Sequence, residues 1–312
     1  MEDKFPGDSI SNQTVERAMN KYYSTKLSIF IFSAPALLLF TVFCVYPLIP
    51  EIWMSLNRHD GFRNLGFVGL DNYKAILTSA SFWTAHKNTY LIVGISVLLG
   101  LPLSLMFALF MDVQTPKFRR FFKTSAMLPA ILSVTVVSQM WISFYEPTWG
   151  LFNSILRSIG LDAWTHSWLT EKNTVMPSIG LTFLWQYIGL NAMLFYTGIK
   201  TIPKNYYEAA IIDGASFAQV CLRITIPLLQ DVTKYVLILS TLGSMAFYSQ
   251  VRVMTAGGPG DLSRTVIYQM YYVAFETSEF GKGTAIAVVF ILECLLISFL
   301  IQRFIAREKL EF

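Results

Sequence analysis

One stretch between two long apolar runs carries polar residues at spacings that are typical of helix ends. Residues 202–229 read IPKNYYEAAIIDGASFAQVCLRITIPLL. Pro203 suits the first turn of a helix, and Gly214 can adopt the left-handed conformation that ends one. Ser216 and Gln219 have the spacing of a capping box, which begins a second helix. The stretch is therefore predicted to form a helix, a turn and a second helix.

The first helix and the turn after it carry carboxylates and small side chains. Glu208 precedes Ala209 and Ala210, whose small side chains let another protein approach the backbone closely. Asp213 can cap a helix end or pair with Arg223. The alternatives are a solvated carboxylate at Asp213 and a surface loop that only links two apolar runs.

Patterns that support catalysis or metal binding are absent from the sequence. There is no GxxxxGK[ST] phosphate loop, no HExxH pair, no GxSxG turn and no CxxC pair. The histidines, His59, His86 and His166, are dispersed along the predicted outward loops, and the cysteines, Cys44, Cys221 and Cys294, are scattered along the chain. We therefore expect no metal site, no disulfide and no cofactor bound by this chain, and no enzymatic activity of its own.

Glu293 is the lone acidic residue deep inside an apolar run. A carboxylate in a membrane is costly and normally has a partner, a cavity or a proton-transfer role. We expect a buried hydrogen bond to a polar neighbour. Proton coupling at Glu293 is the alternative, and it corresponds to an ion-gradient-driven secondary transporter.

Composition indicates a membrane protein. Hydrophobic residues make up 54% of the 312, charged residues make up 14%, and the mean hydropathy is +0.49. Runs of about 20 apolar residues are long enough to cross a bilayer as helices. The six predicted spans are 27–50, 88–111, 124–145, 173–199, 233–253 and 283–302. The predicted fold is an all-α membrane protein with six spans in residues 27–305 and the helix-turn-helix loop 202–229 between the fourth and fifth.

The distribution of Lys and Arg predicts the orientation. Of the 24 basic residues, 15 lie in the termini and in the loops on their side of the membrane, and 9 lie on the opposite side. The positive-inside rule therefore places both termini, 1–26 and 306–312, in the cytoplasm. We predict no cleaved signal peptide, and the net charge of +4 gives no reason to expect a nucleic-acid partner.

Three elements of the 202–229 loop, in order, carry a family resemblance: Glu208-Ala-Ala, Asp213-Gly-Ala and Ile226-Pro-Leu. Together they resemble the EAA motif of bacterial binding-protein-dependent ABC importers. Other segments are similar to the carbohydrate-importer permeases of the maltose (larger subunit) and glycerol-phosphate type. They are FVGLDNY (67–73), Asn88-Thr89, FRRFFKTSAMLP (118–129), the Trp185, Gly189 and Met193 pattern, and TAGGP (255–259). The resemblance spans about residues 27–305, although two N-terminal spans and a large periplasmic insertion of the larger maltose permease have no counterpart.

The resemblance implies a permease subunit in a bacterial or archaeal cytoplasmic membrane that imports a sugar or oligosaccharide. Its implied partners are a second homologous permease, two ATP-binding-cassette subunits that bind ATP and Mg²⁺, an extracytoplasmic solute-binding protein, the sugar and membrane lipid. The 202–229 loop is then a coupling loop that contacts the ATPase. Its implied contact residues are Glu208, Ala209, Ala210, Asp213 and Gly214.

Two further sets of residues follow from this expectation. A sugar path in a membrane needs aromatic faces together with hydroxyl or amide groups. The candidates for the path are Trp185, Gln186, Tyr187, Asn191, Ser244, Phe247 and Tyr248, and packing between helices or an interfacial aromatic belt explains each of them equally well. The candidates for docking of the binding protein are Asp71, Asn72, Gly257, Gly258 and Pro259. Their alternatives are a helix cap at Asp71 and Asn72 and a plain connecting turn at 257–260.

Overall fold

The computed structural model describes residues 26–305. The predicted terminal segments, 1–26 and 306–312, lie outside the described residues except for Lys26. Within the described part the chain is mostly helical, and the predicted all-α membrane fold is confirmed.

The first span forms a unit of its own, which ends at Met54. Helix α1 (Lys26–Phe40) and helix α2 (Leu48–Ser55) are joined by a π-helical turn, Thr41–Val45. The apolar helix covers Ser28–Ser55 and is longer than the predicted 27–50. Apolar residues occur on every side of it, as they do in helices surrounded by lipid.

The second unit begins at Ser55 and contains the other spans. A two-stranded antiparallel hairpin of β1 (Asn57–His59) and β2 (Asn64–Phe67) is followed by α3 (Asp71–Leu77). The second span is α4 (Ala80–Gly94), a π-helical segment (Ile95–Gly100) and α5 (Leu101–Val113). The third span is α6 (Pro116–Ile131) and α7 (Val134–Phe144), followed by α8 (Leu151–Ser158) and a 3₁₀ turn (Asp162–Trp164).

The fourth span is the single helix α9 (Val175–Thr201). The coupling loop contains α10 (Lys204–Ile212), α11 (Phe217–Val220), a π-helical segment (Cys221–Thr225) and α12 (Ile226–Leu228). The fifth span is α13 (Gln230–Met245) and α14 (Ser249–Met254). Helix α15 (Val266–Tyr271) and a π-helical turn (Tyr272–Glu276) lead to the sixth span, α16 (Phe280–Ile305).

The third span is not the single helix that the sequence predicts. Helices α6 and α7 meet at 95°, so the described residues contain five helices long enough to span, or six if this bent pair is one span. Leu132 and Ser133 between the two helices are extended, with ψ of 146° and 136°. Pro129 lies just before them and cannot donate a backbone hydrogen bond, which weakens the helix at this point.

The fourth span lies in the core of the second unit and packs closely against its neighbours. Its residues Val175, Ile179 and Ala192 are fully buried. A Cβ atom built on Gly189 would overlap the backbone carbonyl of Ala126 in the third span. Small residues at such contacts let membrane helices approach until their backbones touch.

Replacing Gly189 by Ala is expected to force the third and fourth spans apart, because the clash is with backbone and not with a flexible side chain. Overpacking of this kind costs about 1–3 kcal/mol. The apparent melting temperature of the purified protein should therefore fall. Gly94→Ala is the matched control, since a Cβ on this helical glycine meets nothing within 4 Å. Equal effects of the two substitutions would contradict the close contact.

Candidate functional site

The coupling loop has the predicted helix, turn and helix. Helix α10 ends at a turn in which Gly214 has a φ of +73°, and the predicted capping box is present. The Ser216 backbone N–H donates to Gln219 Oε1 at 2.8 Å, and the Gln219 N–H donates to Ser216 Oγ at 3.4 Å. Pro203 precedes α10 as its N-cap residue instead of lying in its first turn.

The outer side of the loop combines a groove of mixed polar and apolar lining with exposed apolar side chains. The groove has a volume of about 640 Å³ and is lined by Asn205, Tyr206, Ala209, Ala210, Asp213, Gly214, Ala215, Gln219, Arg223 and Ile224. Glu208 and Ala209 are exposed, while Ala210 is buried. Ile211 and Ile212 are 71% and 85% exposed at the end of α10. The described structure has no ion pair between Asp213 and Arg223, although both line the groove.

The ends of the spans next to the loop are tied to one another. Lys200, at the end of the fourth span, forms an ion pair with Asp112 at the end of the second. Arg119 donates to the carbonyl oxygens of Met111, Asp112 and Gln114 at 2.8–3.3 Å. Burial raises the pKa of the Cys221 thiol, and Asp112 raises it further. Charged and polar contacts thus join the loop-proximal ends of the second, third and fourth spans.

A cleft of about 280 Å³ opens among the second, fourth and fifth spans. It is lined by Ser96, Phe183, Tyr187, Leu190, Asn191, Leu194, Leu239, Ser240 and Gly243. Tyr187 and Asn191 are the two predicted path residues in this lining. The cleft therefore combines an aromatic ring, an amide and hydroxyl groups, which are the groups that a sugar requires.

The other predicted path residues make packing contacts outside the cleft lining. Gln186 is buried and accepts a hydrogen bond from Gln250 Nε2 at 3.0 Å. Ser244 Oγ donates to carbonyl oxygens of its own helix at 2.6 and 2.9 Å. The remaining ring contacts are Trp185 with Trp141 (5.7 Å), Phe247 with Phe183 (5.2 Å) and Tyr248 with Tyr268 (5.9 Å).

The end of the bundle opposite the coupling loop, here called the distal side, is held by side-chain bonds to backbone. Asn88 Nδ2 donates to the carbonyl oxygens of Leu262 and Arg264 at 2.8 and 2.9 Å. Thr89 Oγ1 accepts from the Val266 N–H at 2.9 Å. The Asn88-Thr89 pair thus fastens the segment after TAGGP to the second span. Within that segment Gly257 is buried, Gly258 is half-buried and Pro259 is exposed.

Asp71 and Asn72 do not cap a helix. Leu70 is the N-cap residue of α3, and no side chain caps it. Asn72 is buried, and its Nδ2 donates to the carbonyl oxygens of Ser55 and Asn57 at 2.8 and 2.9 Å. The prediction of a cap is therefore wrong, because the amide finds two carbonyl acceptors across the hairpin. Asp71 is exposed.

Glu293 has a polar partner, His86, that lies outside the predicted spans. The Glu293 Oε1 atom lies 3.0 Å from His86 Nε2. His86 belongs to the second span, which begins at Ala80, and its side chain is buried. The expected hydrogen bond of Glu293 is confirmed, and the placement of His86 in a loop is wrong. Among the described residues no group of His, Cys, Asp and Glu could hold a metal ion.

Comparisons with known proteins give the family. Residues 100–310 match the family of the binding-protein-dependent transport system inner membrane component. The arabinooligosaccharides transport system permease protein AraP of Bacillus subtilis (strain 168) is 34% identical over 279 residues, 89% of this chain and 88% of that protein. The trehalose/maltose transport system permease protein MalF of Thermococcus litoralis is 31% identical over 86% of this chain and 90% of that protein.

This chain belongs to the binding-protein-dependent transport inner-membrane family. It is therefore a multi-pass membrane permease, a transport component, and the resemblance of its motifs to this family is confirmed. A bacterial ABC transporter involved in the import of the acidic polysaccharide alginate has a chain with the same fold. Its TM-score is 0.78 at 22% identity, and the match covers 92% of this chain and 98% of that one.

Several residues that organise the permease were missed or misread in its sequence. The Asp112 and Lys200 pair joins spans that are distant in sequence, and no local pattern indicates it. Gln250 is also missed, although an amide in an apolar run is a signal that a buried partner is required. Gly189 was noted only as part of a motif, whereas its contact with Ala126 depends on how two spans cross.

Replacing Asn88 by Leu is expected to loosen the segment that follows TAGGP. The substitution removes two donated hydrogen bonds, and each bond contributes about 0.5–1.5 kcal/mol. Hydrogen–deuterium exchange measured by mass spectrometry should become faster in residues 255–266 of the purified permease. The control is Asn173→Leu, at an exposed position on the same side. Unchanged exchange in 255–266 would show that Asn88 does not hold this segment.

Proposed function

We propose that this permease forms part of an ABC importer that translocates a sugar or oligosaccharide delivered by an extracytoplasmic binding protein. The observation that carries the proposal is the coupling loop, an exposed helix-turn-helix with a groove of mixed lining. It lies at one end of the spans, and the spans enclose a cleft lined by groups that can bind a sugar. The names of relatives support the substrate class, since they specify arabinooligosaccharides, trehalose or maltose, and diacetylchitobiose.

We infer that the permease pairs with a second homologous permease and with two ATP-binding-cassette subunits. This chain contains no phosphate-binding loop motif, so ATP and Mg²⁺ belong to the partner ATPase. Basic residues are in excess near the termini and the coupling loop, which supports a cytoplasmic location for the termini and for the loop. The distal side is then extracytoplasmic.

The coupling loop is the proposed contact with the ATPase. Its exposed tip presents Ile211 and Ile212 beside the carboxylate of Glu208, a mixture of apolar and charged groups suited to a protein interface. The positive φ of Gly214 allows the chain to turn between α10 and α11. The small side chains of Ala209 and Ala210 let a partner approach the backbone of this segment closely. Asp213 lies on the groove wall.

The loop is attached to the spans that line the cleft, and this attachment supports alternating access. ATP binding would draw the coupling loops of two permeases together, and each loop would move the ends of its fourth and fifth spans. The cleft would then open to the distal side, where the binding protein releases sugar. Such a shift requires the ATPase to bind the two states with different affinity.

Tyr187 and Asn191 are the residues that we assign to the sugar path. Gln186, Ser244 and Phe247 are better explained as packing residues, since their contacts are with other helices or with their own backbone. For docking of the binding protein we retain Asp71 and Pro259, which are exposed on the distal side.

The function is tested by purifying the tagged permease from its host in mild detergent and identifying the proteins that accompany it. We expect a second six-span permease and an ATP-binding subunit. Glu208→Ala should uncouple ATP hydrolysis from transport or release the ATPase, whereas Asp231→Ala, an exposed acidic control at the start of the fifth span, should not. A permease that purifies alone and transports with a proton or sodium gradient would contradict the proposal.

Replacing Asn191 by Leu is expected to reduce sugar uptake by the reconstituted transporter without changing its basal ATPase activity. The reason is that a desolvated sugar hydroxyl loses a hydrogen-bond partner in the cleft. Uptake of maltose, trehalose and arabinotriose should be measured beside Ser244→Ala, whose side chain bonds only to its own helix. Normal uptake by Asn191→Leu would remove Asn191 from the path.

A further inference from the structure

An unpaired apolar surface lies on the distal side, between the third and fourth spans. Six large hydrophobic side chains in residues 149–164 are 41–66% exposed. They are Trp149, Leu151, Ile155, Ile159, Leu161 and Trp164, and together they are called the distal apolar surface. None of them belongs to the proposed sugar path or to the coupling loop.

Helix α8, at the centre of this surface, has three different flanks. Phe152 faces the protein and stacks on Trp141 and Tyr145 with ring centroids 5.7 and 5.1 Å apart. Leu151 and Ile155 recur at helical spacing and form an exposed apolar stripe that continues to Ile159. A third flank is polar, with Ser154, Arg157 and Ser158. Helices that lie in the surface layer of a bilayer have this combination of apolar and polar flanks.

The backbone beneath the surface is firmly held. Glu146 Oε2 accepts from the N–H groups of Thr148 and Trp149 at 2.7 and 2.6 Å, and the Trp149 bond is the main cause of the lowered pKa of this carboxyl. Asn153 Nδ2 donates to the carbonyl oxygens of Pro147 and His166, both at 2.9 Å. The apolar side chains are therefore displayed on an ordered scaffold.

The surroundings of this surface indicate what covers it. Helix α7, which ends at Phe144, is part of a membrane span, and its Val136 side chain is 56% exposed. The distal apolar surface begins only a few residues later, after a flank of α7 on which Val136 is exposed and Met140 and Phe144 are half-buried, beside an exposed polar flank of Thr135, Gln139 and Ser143. The nearby Arg157 guanidinium donates to the carbonyl oxygens of Pro147 and Thr148 at 2.8 and 2.5 Å, so its charge is held against backbone.

We propose that the distal apolar surface lies in the interfacial layer of the bilayer, in the leaflet on the distal side. Leu151, Ile155 and Ile159 contact acyl chains, and Trp149 and Trp164 lie at the level of the headgroups, where tryptophan is favoured. The lipid-bound helix α8 anchors the distal end of the bent third span. This inference does not depend on the identity of the transported substrate.

The test measures the environment of a nitroxide label in the assembled transporter, reconstituted in nanodiscs of phosphatidylcholine and phosphatidylglycerol. Ile155→Cys and the polar-flank control Ser154→Cys are labelled in a background in which Cys44, Cys221 and Cys294 are replaced by Ser. The ratio of oxygen accessibility to nickel-chelate accessibility should be several-fold higher at position 155, because molecular oxygen partitions into lipid whereas the nickel chelate stays in water. A ratio at 155 equal to that at 154 would overturn the proposal, as would a label at 155 shielded from both reagents.

A second measurement needs no cysteine-free background. A benzophenone amino acid at position 155, or at the control position 136 in the third span, is photoactivated in native membranes of the host. Phospholipid adducts at both positions are expected. If position 136 forms lipid adducts while position 155 forms adducts with a binding protein or a second permease, or none at all, the surface faces protein or water and the proposal fails.

Discussion

The backbone contact between the third and fourth spans is the constraint on which the rest of the permease depends. Lipid offers no hydrophobic force between helices, so close packing and polar contacts must hold the bundle together. Gly189 meets the backbone of Ala126 with no side chain between the helices, and Gly198 makes room for the Val232 side chain of the fifth span. The fourth span can then form one wall of the cleft while its end leads into the coupling loop.

Polar side chains hold the loops at the distal end of the bundle. Asn72, Asn88 and Thr89 belong to segments that the sequence relates to transport, yet each is buried and bonded to backbone. Backbone groups in loops lack the partners that helices and sheets provide, and an unpaired buried group is costly. These residues therefore position distal loops, and only the exposed residues beside them remain available for docking.

The coupling loop and the cleft are linked by short and stiff elements. Leu229 and Ile199 are buried beside each other in one apolar cluster, just where the loop joins the fifth and fourth spans. The ion pair of Lys200 with Asp112 adds the second span to this junction. Under the proposed mechanism, a displacement of the loop would be transmitted to the spans that carry Tyr187, Asn191 and Ser240, because close-packed interiors shift as units.

The sequence alone determined the features that depend on local order. Apolar runs of membrane length predicted the spans, and the capping box and Gly214 predicted the form of the coupling loop, because cap and turn chemistry involves residues only a few positions apart. The break of the third span was missed because Pro129 alone does not specify a bend of 95°. Tertiary structure decided which of the seven path candidates line the cleft, that Asn72 holds a hairpin, and that His86 meets Glu293. These outcomes depend on how helices cross and rotate, and the 207 positions that separate His86 from Glu293 carry no local signal of their contact.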